Sequence, residues 1–141
     1  MSDCIFCAIV EGRAPSVTVR EDETTVAFMD IHPATPGHVL VVPRRHSRDL
    51  LDIPAADLAA VTVAAQRVAR AASAAWAAVG INLLNCCGAD AWQTVFHFHM
   101  HVIPRYRDPA RDGLELPWTP DVPGDPEELM ALGATLADRL A

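Results

Sequence analysis

His97-Phe98-His99-Met100-His101-Val102-Ile103 alternates imidazole with apolar side chain. In an extended strand successive side chains project to opposite faces. The run therefore predicts a strand with His97, His99 and His101 on one face. Phe96, Phe98, Met100 and Val102 fall on the other, which is apolar enough to meet a core. Titratable groups gathered in this way mark a site. Three residues at i, i+2 and i+4 span about 13 Å at the usual rise, too far to converge on one ion through bonds near ~2 Å. At most two neighbours can share a metal, so the three histidines divide the work. The middle one is the candidate nucleophile or general base. An imidazole attacks well near neutral pH when one nitrogen is bare and the other donates a hydrogen bond that fixes the tautomer.

Working outward, the flanking segments predict an α+β fold with a mostly antiparallel, five-stranded sheet, one long helix and a C-terminal helix. Cys4 to Glu11 reads as a helical turn ending near Gly12. Ser16 to Arg20 and Thr24 to Met29 read as strands joined by the turn Glu21-Asp22-Glu23. Pro33, Pro36 and Gly37 mark a loop. His38 to Pro43 is a continuous β-branched run, expected to be a strand buried on both sides. Pro54 suits a helix start and Asp57 its N-terminal dipole. Leu58, Val61, Ala65, Val68, Ala72, Trp76 and Val79 form one apolar stripe, with Gly80 as the expected stop. Ile81 to Asn85 is a fourth strand before the loop Cys86 to Thr94. Residues 104–126, rich in proline and charge, predict an irregular excursion, and Glu127 to Leu140 a terminal helix. No repeat interrupts the chain, which is expected to form one domain over 1–141, with a core of about 3–107 and an extension over 108–141.

The chain has 141 residues, 51% of them hydrophobic, and a net charge of −7. All 11 basic residues are arginine. An acidic surface argues against non-specific nucleic-acid binding. It still allows a phosphate to be held locally by backbone N–H groups and a few side chains. No apolar run reaches the ~18 residues of a membrane span, so no membrane partner is expected. The N-terminus, Met1-Ser2-Asp3-Cys4, carries no signal-peptide pattern, and a cytoplasmic protein is the expectation. In such a compartment Cys86 and Cys87 read as two small buried residues, since neighbouring cysteines bridge only with strain. Cys4-x-x-Cys7 suggests a metal or a redox pair. A thioredoxin-type pair would follow a strand, and here only three residues precede it. Zinc would need two further ligands from His32, His38, His46 or the histidine strand.

These blocks together resemble the histidine triad family of nucleotide hydrolases and transferases. The resemblance rests on the alternating histidines, on Gln93-Thr94-Val95-Phe96 before them and on Pro104-Arg105 after them. It extends to Phe28-Met29-Asp30-Ile31-His32-Pro33, to Gly37-His38-Val39-Leu40-Val41-Val42-Pro43-Arg44-Arg45-His46, and to Cys4-Ile5-Phe6-Cys7, which resembles the zinc-containing bacterial members. It covers about residues 3–107.

The resemblance implies a hydrolase of nucleoside 5'-phosphoramidates or related conjugates. His99 would attack the α-phosphorus and form a covalent nucleotidyl-histidine, and water would release the nucleoside monophosphate. His101 would contact the phosphate and leaving group. Gln93 and Thr94 would hydrogen-bond phosphate oxygens, with Thr94 placed to protonate the leaving group. Asp30 would bind the ribose hydroxyls, and Phe6, Ile31 and Leu40 would line the base pocket. Cys4, Cys7, His46 and His97 would hold a structural Zn2+. A homodimer with paired sheets is also implied. Two other readings stay open: a dinucleoside polyphosphate hydrolase, and a zinc-stabilised nucleotide-binding module with little turnover.

The chain departs from the family pattern in two places. Cys86 stands where an asparagine or glutamine often lies. Trp92 stands where glycine is usual, and its bulk is expected to narrow the loop. Trp118 is a candidate for reaching a partner's site. His38 reads as structural, His32 as a solvated loop residue, and Arg105 as a neutraliser of charge at the sheet edge.

Overall fold

The protein is described here by a computed structural model covering residues 3–141, so Met1 and Ser2 of the N-terminal reading lie outside it. The elements in chain order are α1 (Ile5–Val10), β1 (Thr18–Glu21), β2 (Thr25–Met29), β3 (Val39–Pro43), α2 (Ala55–Trp76), β4 (Gly80–Leu84), a short 3-10 turn (Ala89–Ala91), β5 (Met100–Arg105) and α3 (Pro126–Leu140). The five strands form one antiparallel sheet in the order β1-β2-β3-β5-β4. The expected α+β architecture is present.

β3 is the middle of the sheet and every residue of it is buried. Its alternation separates two apolar layers. Val39 and Val41 join Ala27, Phe98 and Val102 against Val61, Ala64, Ala65 and Val68 of α2. Leu40 and Val42 join Val26 and Phe28 on the opposite side, where Phe6 of α1 covers them. The helix therefore closes one face, and the other carries α1 and the histidines. Leu40 pairs directly with His101 across the β3–β5 ladder, and Phe28 with Leu40 across β2–β3. Directly paired residues share a face, so this register puts His101 over an apolar floor.

Three local expectations are corrected. β5 begins at Met100, so His97 and His99 precede the ladder; the backbone bends there while Phe98 N–H donates to the Ser47 carbonyl at 2.7 Å. Phe96 is 46% exposed and is not part of the core face. α2 stops at Trp76, with Ala77 in the left-handed conformation (φ 52°), and Gly80 instead opens β4. An alanine thus takes the position that glycine usually fills, and Val79 lies outside the helix.

Trp76 packs onto the backbone of Gly37. A Cβ built at Gly37 would lie 2.3 Å from the indole, and its φ of +88° independently favours glycine. This contact fixes the loop that delivers His38. Beyond β5, Arg105 is a brace and more than a charge neutraliser. It forms a bidentate pair with Asp112 at 2.7 and 3.1 Å and also donates to the Leu114 carbonyl. The guanidinium and the Tyr106 backbone N–H hold the Asp112 carboxyl at about 2. Among the described residues no helix is long and apolar enough to cross a membrane.

Candidate active site and metal centre

Cys4 caps α1, its sulfur accepting from the Cys7 N–H at 3.4 Å. One helical turn thereby places both sulfurs on the same side. His46 arrives from the loop after β3, and His97 from the bend before β5. His97 Nε2–H donates to the Pro43 carbonyl at 2.9 Å, which leaves Nδ1 with its lone pair toward the cluster. Its Nδ1 lies 3.6 Å from Cys4 Sγ, 3.5 Å from Cys7 Sγ and 3.2 Å from His46 Nδ1. Cys7 Sγ lies 3.3 Å from His46 Nδ1. A tetrahedral zinc with ordinary bond lengths separates its ligand nitrogens by about 3.3 Å, and a sulfur from a nitrogen by about 3.6 Å. The four donor atoms lie within 4.8 Å of one another, and they fit a closed Cys2His2 site. Burial pushes the His97 imidazole down to about 4, so it is neutral, the ligating form.

The backbone carbonyl of this same His97 accepts from His99 Nδ1 at 2.7 Å. That bond puts the His99 proton on Nδ1 and leaves Nε2 bare. Phe6 packs edge-on against the ring at 5.1 Å, and Asn85 Nδ2 donates to the His99 carbonyl at 3.0 Å. Both ring and backbone are fixed. Burial lowers the His99 pKa, which keeps the ring neutral.

His38 hydrogen-bonds into the histidine row. Its Nδ1 accepts from the Ala34 N–H at 3.0 Å, so its proton sits on Nε2. Nε2–H is then the donor in the 2.8 Å contact with His101 Nδ1. By the same logic His101 carries its proton on Nε2. Burial pushes His101 down to about 4, with His99 and His38 adding to the effect, and burial lowers His38 as well. Asp30, His38 and His101 have donor atoms close enough to suggest a second metal site. The hydrogen bonds argue otherwise: Nε2 of His38 bears a proton, and a 2.8 Å N···N separation is shorter than two ligands of one ion adopt.

A cavity of about 430 Å³ opens over His99 and His101. Phe6, Asp30, Ile31, Leu40 and Thr94 line it with them, so seven of the eight residues expected to meet substrate come together. Its size suits a small-molecule ligand. Asp30 divides its carboxylate. Oδ1 accepts from the His32 N–H at 2.8 Å, and Oδ2 lies 3.5 Å from His38 Nε2. His32 is exposed and also lines the cavity.

Gln93 is the exception. It is buried, with Oε1 accepting from Gly88 N–H and Nε2 donating to the Arg48 and Val95 carbonyls at 2.8 and 3.1 Å. Both amide protons are spent on backbone carbonyls, one beside Thr94 and one in the segment after β3, so Gln93 ties the two segments together and has none left for a phosphate. Cys86 is buried, its thiol pushed up by desolvation. Asn85, one residue earlier, is the amide that reaches the histidine segment. Trp92 does not narrow the cavity. It is 66% exposed, adopts φ +72° and is absent from the lining. Trp118 is exposed in the C-terminal excursion.

The sequence matches the HIT domain over residues 11–108, and the chain belongs to the HIT (histidine triad) family. It is 34% identical, over 97% of its length and 98% of the relative's, to adenosine 5'-monophosphoramidase hnt1 of Schizosaccharomyces pombe. Its fold is that of a HIT-family crystal structure from Bacillus subtilis, at 38% identity and a TM-score of 0.90, covering 99% of each chain. A zinc-bound histidine triad family protein from Mycobacterium smegmatis is 41% identical, with a TM-score of 0.75 and 97% of each chain covered.

Proposed function

We propose that this protein hydrolyses nucleoside 5'-phosphoramidates by covalent catalysis at His99, as a zinc-stabilised homodimer. The observation that carries the reading is the His99 tautomer: Nδ1–H is committed to the His97 carbonyl, and the bare Nε2 belongs to a ring lining the cavity. The named activity of the fission-yeast relative supports phosphoramidates as the substrate class.

The chemistry follows from the residues present. The base lies against Phe6, Ile31 and Leu40, and the ribose hydroxyls meet Asp30. His99 Nε2 attacks the α-phosphorus, and the phosphorus–nitrogen bond breaks. The departing nitrogen takes a proton supplied by solvent and relayed across the exposed Thr94 hydroxyl. His101 Nε2–H, oriented by His38, donates to a phosphoryl oxygen as charge accumulates there. Water then attacks phosphorus and gives up a proton to solvent along the same hydroxyl, the P–N bond returns its electron pair to His99 Nε2, and the nucleoside monophosphate leaves. Zinc, when bound by Cys4, Cys7, His46 and His97, supplies rigidity. His97, held there, would then keep fixed the carbonyl that sets the nucleophile's tautomer.

Acid-quenched reaction with an adenosine phosphoramidate tests the reading. Phosphorus is expected on the His99 ring, and His99→Ala should abolish turnover while nucleotide binding persists. Product without a phosphorylated His99 would overturn it. Cleavage of a diadenosine polyphosphate in preference to the phosphoramidate would move the assignment to that substrate. Micromolar binding of both without turnover would make the protein a binding module.

A further inference from the structure

α2 and β1 enclose a hollow of about 340 Å³ that the chemistry at His99 does not use. Its lining along α2 passes from Arg67 over Ala71 and Ala75 to Trp76. Positions 67, 71 and 75 are four apart and share one helix face, and the run to Trp76 measures about 14 Å at the helical rise. The alanines leave the space open, because their side chains are too short to fill it. Val19, 48% exposed on β1, forms one wall, and buried Val39 of β3 lies at the bottom. The volume suits a small-molecule ligand.

The two ends differ. Arg20 and Arg67 also line a second hollow, which runs on along α2 toward Ala59. Both guanidiniums therefore stand at the end opposite Trp76. Arg20 donates to Asp22 at 3.2 Å. Among the described residues Arg67 forms no salt bridge. One positive charge is thus left uncompensated, which a single carboxylate matches and a dianion would exceed. A guanidinium presents its N–H groups as a fork that fits a carboxylate. Between that fork and the indole the lining is aliphatic.

The Trp76 end adjoins the scaffold of the histidines. The indole lies on the backbone of Gly37, too close for a Cβ there. His38 follows, its N–H donating to the Thr35 carbonyl at 3.2 Å and its ring to His101. Where the chain enters β3, neighbouring side chains take opposite faces. Val39 lines the hollow while His38 meets His101. Contact with Trp76 and Val39 therefore bears on the residues on either side of His38.

We propose that this hollow binds a small apolar monocarboxylate, head on Arg67 and tail toward Trp76, and that its occupancy steadies the loop carrying His38. The site is separate from the cavity over His99, and the inference does not rest on the phosphoramidase reading.

Octanoate added to 15N-labelled full-length chain provides the test. Saturable NMR shifts are expected at Val19, Arg67 and the Trp76 indole N–H, with a Kd below about 1 mM. Octanol lacks the charge and acetate lacks the tail, so each should bind more weakly by about tenfold or more. Arg67→Gln should weaken octanoate about tenfold. Ala75→Phe fills the hollow from an exposed helix position and should abolish binding without lowering Tm. No saturable shift by about 10 mM octanoate, shifts centred on His99 and His101, or an affinity unchanged in either variant overturns the site. In the complex the His38 N–H should exchange with solvent about threefold more slowly. Unchanged exchange refutes the coupling to His38 but leaves the site standing.

Discussion

Removal of the His38 ring isolates what orientation of His101 contributes. In His38→Ala the 2.8 Å donor to His101 Nδ1 is gone, and with it the bias that keeps the proton on Nε2. A neutral hydrogen bond contributes about 0.5–1.5 kcal/mol net, and leaving a buried acceptor unpaired costs about 1–3 kcal/mol. At about 1.4 kcal/mol per decade, a loss of about 1–3 kcal/mol lowers kcat/KM by roughly 5- to 150-fold. The fall should lie mainly in kcat, because His38 does not line the cavity. His38→Gln puts an amide N–H close to the lost Nε2–H and should recover most of the rate. Steady-state kinetics on an adenosine phosphoramidate, with 15N chemical shifts of the His101 ring, provides the assay. Wild-type protein should show His101 protonated at Nε2, and His38→Ala a mixture. A kcat/KM within twofold of wild type, or a wild-type spectrum showing Nδ1–H, would refute the tautomer chain.

Elemental analysis should find about one zinc per chain, lost in Cys7→Ser, with a Tm fall of more than about 10 °C because such sites supply several kcal/mol of folding energy; a metal-free wild type of equal Tm would count against the centre. His101 titrates at about 4 when folded and near 6.5 when unfolded. The unfolded chain therefore takes up that proton first, so this contribution to stability is complete above pH 6.5 and declines as pH falls toward 4. His101 ring resonances should stay fixed from pH 8 to about 5.5, and a midpoint near 6.5 would contradict the burial argument. Ala77→Gly relieves a left-handed alanine at an exposed helix end and should add about 1 kcal/mol; calorimetry showing no gain would mean that the side chain bears no strain.

Much of this was legible before any coordinates. The valine run of β3 reads as a doubly buried strand, and Cys-x-x-Cys announces two thiolate ligands, with His46 and His97 supplied by the family resemblance. The alternating histidines announced a site, and the distance argument excluded one ion shared by all three; the division of roles between His97 and His99 came from the family resemblance. What stayed hidden depends on side-chain partners. Nothing in Gln93's identity says that both its amide protons go to backbone carbonyls, one of them at Arg48. The hydrogen bond from His38 to His101, and the Ala34 N–H that sets the His38 tautomer, leave no mark in the sequence. The end of α2 was misplaced because alanine tolerated a conformation that composition assigns to glycine. The bend at His97 breaks the strand period because its ring and carbonyl are held by different partners.

β3 gives its odd-numbered residues to one layer and its even-numbered ones to the other. A slip of a single position would turn the valines under α2 toward the cavity and hide the floor beneath His101. Such a mispaired chain could keep its strand content and still catalyse nothing. Under the proposed chemistry, turnover during refolding would count only correctly threaded molecules and so gauge pairing fidelity.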